Sequence, residues 1–280
     1  MDDLVIRKDN HIVQKTLNRF TYKQNQLMAI LLGKYVNLKT DECINTSVSI
    51  DTLRKTLGVS DGADNYKAIE RAIQKFGENS SIGCWEEIKK GKWEYVWRPY
   101  FKEIRLSENG CRFEWNELMK PYLIKLQDSY TQYLANDYLK LKSVHSQNLY
   151  EQLKSLENYQ NKYKKKPLIP VEELRNVFQV QGKKYYESFR RLNEKLLKKA
   201  VYEINEVTDL SIKYYTHKQG RTVVAVEFEI KRKKHNMTKS QKEGLPEWYS
   251  DTEQHEPTKE MLERIEKMKK ELQIELGNKV

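Results

Sequence analysis

The sequence predicts a mainly helical α+β protein in which one unit of helix, turn, helix and β-hairpin is built twice, and three observations carry that expectation. VSIDTLRKTLGV (Val48 to Val59) is echoed about 120 residues later by LIPVEELRNVFQV (Leu168 to Val180), with Leu53 answering to Leu174, Arg54 to Arg175, Leu57 to Phe178 and Val59 to Val180. Each copy then leads, after a few polar residues, into a longer amphipathic segment, DNYKAIERAIQKF (Asp64 to Phe76) and KKYYESFRRLNEKLLKKAVYEINE (Lys183 to Glu206). Here Tyr66 matches Tyr186, Ile69 matches Phe189 and Arg71 matches Arg191. Both segments are followed by alternating apolar and aromatic residues of strand type. That order is the order of a winged helix-turn-helix unit, whose second helix enters the DNA major groove. A repeat of this length means tandem domains related by internal duplication rather than a solenoid. The expected division is a first winged-helix domain over residues 1–126, a second over 127–234, and a linker with an amphipathic helix over 235–280.

The elements follow in order. Thr21 is placed to cap a helix over Thr21 to Val36 in which Leu27, Ile30, Leu31 and Tyr35 share one stripe. Beyond Phe76, a turn near Gly83 leads into strands on which Trp93, Tyr95 and Trp97 share a face. Such a stripe reads as core or as a self-association surface in preference to a base-stacking platform. PYLIKLQD (Pro121 to Asp128) reads as the connection between domains. Ser129 to Tyr159, uninterrupted by Pro or Gly, reads as one long helix that opens the second unit, with Tyr133, Leu141, Val144, Leu149 and Leu153 recurring. Pro167 and Pro170 then separate it from the helix that follows. In the second long segment Phe189, Leu192, Leu196, Ala200 and Ile204 form the core stripe. The hairpin LSIKYYTHKQGRTVVAVEFEI follows, with HKQGR (His217 to Arg221) at its tip. Near the C-terminus, Leu262, Ile265, Met268 and Leu272 recur at helical spacing.

Charge separates the two copies. The formal net charge is +11, and residues 160–234 hold 19 Lys+Arg against 9 Asp+Glu, whereas residues 1–159 hold 24 against 21 and residues 235–280 hold 8 against 10. A solvated lysine-rich surface would spread the excess along the chain; its concentration on the second copy points to an anionic partner there, of which nucleic acid is the commonest. The outward positions of the second long helix are Lys184, Ser188, Arg191, Lys195 and Lys198, with Arg190 at the flank, and Lys183 beside them is a further candidate for DNA binding. Arginine can bind guanine bidentately, and lysine and serine can hold phosphates. At the hairpin tip His217, Lys218 and Arg221 suit a wing that touches the backbone or a minor groove. The first copy offers Asn65, Lys67, Arg71 and Lys75 on its second helix, with Lys89, Lys90 and Lys92 nearby, and is less basic.

Other classes lack their residues. No His-x-His occurs beside the 18 tyrosines, so the metal-dependent nicking chemistry of rolling-circle enzymes has no ligand pair. Neither Gly33-Lys34 nor Gly182-Lys183 has the spacing or the following Ser/Thr of a P-loop. Cys43, Cys84 and Cys111 form neither a disulfide framework nor a metal motif, and the five histidines are scattered. No cofactor and no metal is expected. No apolar run approaches a membrane span and MDDLVIRKDN has no apolar signal core, so the chain reads as soluble and cytoplasmic.

These residues resemble the iteron-binding plasmid replication initiators, over roughly residues 4 to 233. The resemblance rests on FTYKQNQLMAILL, FEWNELMKPYLIKL, LKLKSVHSQNLYEQLK and, most specifically, ESFRRLNEKLLKKAVYEINEVTDLSIKYYTHKQGRTVVAVEFEI. It implies sequence-specific binding of double-stranded direct repeats at a plasmid origin, local melting, recruitment of the host initiator and the replicative helicase, and no catalysis. It also implies a homodimer formed through the first winged helix that represses its own promoter, and principal base contacts from the second winged helix. A dedicated winged-helix repressor would use the same reading heads and is separated from an initiator by its DNA target: phased direct repeats for one, a lone inverted repeat for the other. The C-terminal helix lies outside the resemblance.

Overall fold

In a computed structural model the described residues are 5–15, 20–36, 45–59, 65–123 and 130–233. The expected linker and helix of residues 235–280, and most of the Pro121 to Asp128 connection, lie outside them.

The chain begins with β1 (Val5–Asp9), α1 (Asn10–Lys15) and α2 (Tyr22–Val36). Thr21 caps α2 reciprocally with Gln24: the Gln24 amide donates to Thr21 Oγ1 at 3.4 Å and the Thr21 amide to Gln24 Oε1 at 3.0 Å. Leu27, Ile30 and Leu31 are buried along the helix. Next come β2 (Asn45–Ser49), α3 (Ile50–Leu57) and α4 (Asn65–Asn79), then strands β3 (Ser81–Lys89), β4 (Lys92–Pro99), β5 (Phe101–Ser107) and β6 (Gly110–Trp115), and a 3-10 turn leading into α5 (Lys120–Leu123). Strands β2, β6 and β5 form one antiparallel sheet in that order, while β3 and β4 stand apart as a two-stranded ribbon. Phe76 of α4 packs edge-on against Phe113, and Phe101 lies 4.6 Å from Trp115, whose indole donates to Thr46 at 2.8 Å. These rings are the core of the first unit.

The second unit repeats the plan. After β7 (Tyr130–Leu134), α6 (Ala135–Lys140) and α7 (Val144–Tyr163) come β8 (Leu168–Pro170) and α8 (Val171–Val177). A 3-10 turn (Lys184–Tyr186) precedes α9 (Phe189–Leu192), which runs through a π-helical turn (Asn193–Leu197) into α10 (Lys198–Val207); β9 (Leu210–Gln219) and β10 (Thr222–Arg232) close the unit. Strands β8, β10 and β9 form a sheet whose order copies β2, β6, β5. The duplication reaches the helix caps. Gly58, at φ +63°, ends α3 while the Val59 amide returns to Arg54 O at 3.0 Å; Gln179, at φ +55°, ends α8 while the Val180 amide returns to Arg175 O at 2.9 Å. Leu53 and Leu174 are fully buried beneath the two.

Three expectations are corrected. The turn expected near Gly83 is strand instead: Gly83 sits inside β3, opposite Trp97 of β4, and the turn comes at the far end of that ribbon. The stretch from Ser129 to Tyr159 is not one helix: Tyr130–Leu134 is a strand paired antiparallel with β1 (Val5 opposite Leu134, Asp9 opposite Tyr130), and helix resumes in two pieces. Thr131 and Tyr133 face inward at the strand period while Tyr130, Gln132 and Leu134 are half-buried, so β propensity and a partner about 125 residues away override the helical reading. Of the two readings of the β4 aromatic stripe, core is excluded, since Trp93, Tyr95 and Trp97 are exposed, as is Trp85 of β3, and the self-association reading is left.

One core continues through both units, and α7 lies in its middle, touching α1, α2 and β7 on one side and α8, α10 and β10 on the other. Its buried charges are all met. Glu151 takes Lys8 and the Tyr133 hydroxyl from the first side; Lys154 meets Asp209 at 2.9 Å and Glu157 at 3.0 Å, and Glu157 also takes Arg232.

Candidate nucleic-acid interface

The second unit sets its cations on a packed helix and a tied-down hairpin. Leu192, Leu196, Ala200 and Ile204 are buried as the helical period requires, and Phe189 is half-buried against the core. The π turn inserts a residue into the rod, so Leu197 and Val201 are buried as well and the apolar stripe widens. On the other side Arg190, Arg191, Lys195 and Lys198 are exposed; Lys183, Lys184 and Ser188, expected on the same helix, are exposed as well but lie in the turn and cap that precede it, because the helix begins only at Phe189. Ser188 occupies the N-cap position of α9 without a side-chain capping bond.

Strand β9 is stitched to this helix at two points. Asn205 of α10 exchanges a pair of hydrogen bonds with the Ile212 backbone, at 3.0 and 2.6 Å, and the Tyr214 hydroxyl donates to Asn193 Oδ1 in the π turn at 2.8 Å. The hairpin therefore leaves the helix at a fixed root. It carries His217, Lys218 and Arg221 outward, all exposed, across the two-residue turn Gly220–Arg221. His217 Nε2 lies 3.3 Å from Glu227 Oε2 on the opposite strand. At the hairpin's root, hydrogen bonds from Lys231 and Lys166 hold the Glu229 carboxyl down to about 2.

The two arginines differ in their company. Arg190 Nε pairs with Glu194 at 3.0 Å in the open, whereas the Arg191 guanidinium lies over the ring of Tyr185, 4.8 Å from its centroid. Sequence reasoning passed over Tyr185, Asn193 and Tyr214. The only signal for Tyr185 was an aromatic beside the matched Tyr186.

In the first unit Lys67, Arg71 and Lys75 are exposed along α4, opposite the buried Ile69, Ile73 and Phe76, and Asn65 opens that helix. Lys89, Lys90 and Lys92 stand at the tip of the β3–β4 ribbon, away from α4 in sequence and on a separate sheet. One face of that ribbon pairs Trp85 with Tyr95 and Gly83 with Trp97. A Cβ on Gly83 would sit 2.1 Å from the Tyr95 hydroxyl and 2.8 Å from the Trp97 ring, so only glycine lets the two rings lie across the strand. Among the described residues no group of three or more His, Cys, Asp or Glu could hold a metal, and burial pushes the Cys111 thiol up to about 12, out of the nucleophilic range. No described helix is long and apolar enough to cross a membrane.

Residues 5–154 match the family described as Initiator Replication protein, WH1, and residues 170–230 match Initiator Rep protein, WH2. The chain belongs to the family of initiator replication proteins. The two matches follow one another in chain order in this Rep initiator: the first runs through β7 and α6 into α7, and the second covers the end of β8 to most of β10. Among solved structures it is similar to the Pi initiator protein in complex with iteron DNA, at 19% identity and a TM-score of 0.63, covering 84% of this chain and 100% of that one. Domains 2 and 3 of RctB match at 13% identity and a TM-score of 0.42, covering 74% of this chain and 82% of that one. No curated protein matches.

Proposed function

We propose that this Rep initiator binds iterons, phased direct repeats in the double-stranded DNA of its plasmid origin, in the cytoplasm. The second unit makes the principal base contacts through the α9–α10 helix, and its wing makes backbone contacts. The observation that carries this reading is the concentration of exposed cations on that helix and hairpin, in a chain whose fold spans the whole length of an initiator crystallised on iteron DNA. Residues 1–126 serve self-association and auxiliary DNA contact through α4, and residues 127–234 the principal reading. Binding at adjacent repeats strains the duplex, opens a neighbouring tract and draws in the host initiator and replicative helicase. A homodimer formed through the exposed Trp85, Tyr95 and Trp97 face represses the protein's own promoter and so limits copy number; an apolar patch of this kind on an isolated ribbon marks an association site.

A DNase footprint on the DNA flanking its own gene, at low and physiological salt, tests the reading. Several protected direct repeats at one spacing are expected. A single protected inverted repeat would make the protein a dedicated repressor, and salt-labile protection without any sequence pattern would remove sequence-specific binding altogether.

A further inference from the structure

The recognition helix of the second unit has two adjacent arginines, and their surroundings assign them different work. Arg190 is 84% exposed on its side chain and shares its charge with Glu194, one turn along the same helix. Such a pair leaves the guanidinium anchored to its own helix and offset by a negative charge. Among the described residues no carboxylate lies within ion-pair distance of Arg191; its guanidinium rests on the face of Tyr185.

That ring is itself held by a chain of contacts. Tyr185 stands edge-on to Tyr186 at 5.0 Å and 84°, and Tyr186 packs against the core. Arg175 of α8 fixes the backbone on which both sit. Its Nε donates to Tyr186 O at 3.1 Å and its Nη2 to Glu187 O at 2.7 Å, while Nη1 is taken by Glu172 at 2.6 Å. The turn between the two helices of the motif is thus clamped from α8, and its one strongly exposed ring faces the arginine at the head of the reading helix. The first unit lacks the shelf, because Asn65 stands where the alignment puts Tyr185.

We propose that Tyr185 is a positioning residue for DNA recognition, holding the Arg191 guanidinium on its ring face so that Arg191 reads a base, while Arg190, tied to Glu194, does not. This rests on the reading of α9–α10 as the recognition helix. A free arginine loses rotamer freedom when it binds a base edge bidentately; one already stacked on a ring loses less. The π face also leaves the guanidinium's in-plane donors open, whereas a carboxylate partner occupies them.

The test uses the full chain. Wild type selects duplexes from a randomised pool, and the enriched duplex and an unrelated one are then titrated with Y185A, Y185F, Y185L, R190A, R191A and Y185A/R191A. The expected result is a loss of about 2- to 5-fold on the enriched duplex for Y185A and Y185L, the range of an exposed cation–π contact, with Y185F near wild type. Binding to the unrelated duplex should not move. R191A should abolish selection of one guanine, R190A should keep it, and Y185A should add nothing once Arg191 is gone. The proposal is overturned if Y185A costs as much in the R191A background as in wild type, if Y185L binds like Y185F, or if R190A rather than R191A loses the guanine. Wild-type selection by both arginine variants would instead remove the recognition-helix reading, and the proposal with it. Y185F keeps the ring and Y185L keeps an apolar side chain without a π face, so if Y185A fails to fold the comparison of Y185F with Y185L still decides the proposal.

Discussion

Asp209 shows how one side chain ties the second unit to the helix in the middle of the core. Burial alone would raise its carboxyl, but Lys154 at 2.9 Å, the Tyr150 hydroxyl at 2.8 Å and the more distant Arg232 outweigh it and leave the group below the ordinary carboxylate range. A depressed carboxylate stabilises the fold above its unfolded pKa, and that contribution is lost as pH falls through the lower folded value. Asp209→Asn should therefore cost about 2–3 kcal/mol at neutral pH, because it strands part of the Lys154 charge and leaves only Glu157 beside it. It should also flatten the fall in stability below about pH 4. Urea unfolding at neutral pH and near pH 3 measures both; an equal slope with pH in the two proteins would remove Asp209 from the acid response.

At the scale of elements, the two helix caps make a paired experiment. Both copies end their first motif helix with a residue in the left-handed region, glycine in one and glutamine in the other. Gly58→Ala should destabilise by about 1–2 kcal/mol, and Gln179→Gly should stabilise by up to about 1 kcal/mol, the cost of a side chain in that region less the added chain entropy. Thermal unfolding reads both, and opposite signs are required. The caps also show what the sequence made legible. Leu53, Leu174, Arg54 and Arg175 carry the duplication because helix-turn-helix packing needs the same side chains at the same period, and period is visible in a sequence. Strand β7 was hidden because its partner β1 comes from the other end of the chain, and pairing across about 125 residues leaves no local trace. The π turn was equally silent: Asn193 to Leu197 has the composition of any helix, and only packing reveals the extra residue. The exposed cations of α9–α10 were readable as positions, while the ring beneath Arg191 was not, because the 3.6-residue period assigns faces and says nothing of the turn before the helix. For β4 the alternation gave the shared face, but alternation does not tell what covers it.

For the whole molecule, the aromatic ribbon and the basic helix–wing are separate surfaces on separate sheets, which makes their roles separable. Replacing Trp85 and Trp97 with serine removes large apolar groups that are each 60% exposed and should leave unfolding nearly unchanged. It should shift the protein toward monomer in sedimentation while preserving repeat binding. Unchanged association in that variant would move the dimer contact elsewhere.

Helix α7 has a mechanical consequence. Because its buried charges engage Lys8 of the first unit on one flank and Asp209 and Arg232 of the second on the other, the two heads are not beads on a string but the jaws of a caliper joined at one helix. A caliper measures distance as well as gripping. On the proposed reading, in which both heads touch the duplex, the gap between the two contact patches and their rotation about its axis become part of what is recognised, even where no side chain touches the bases in between.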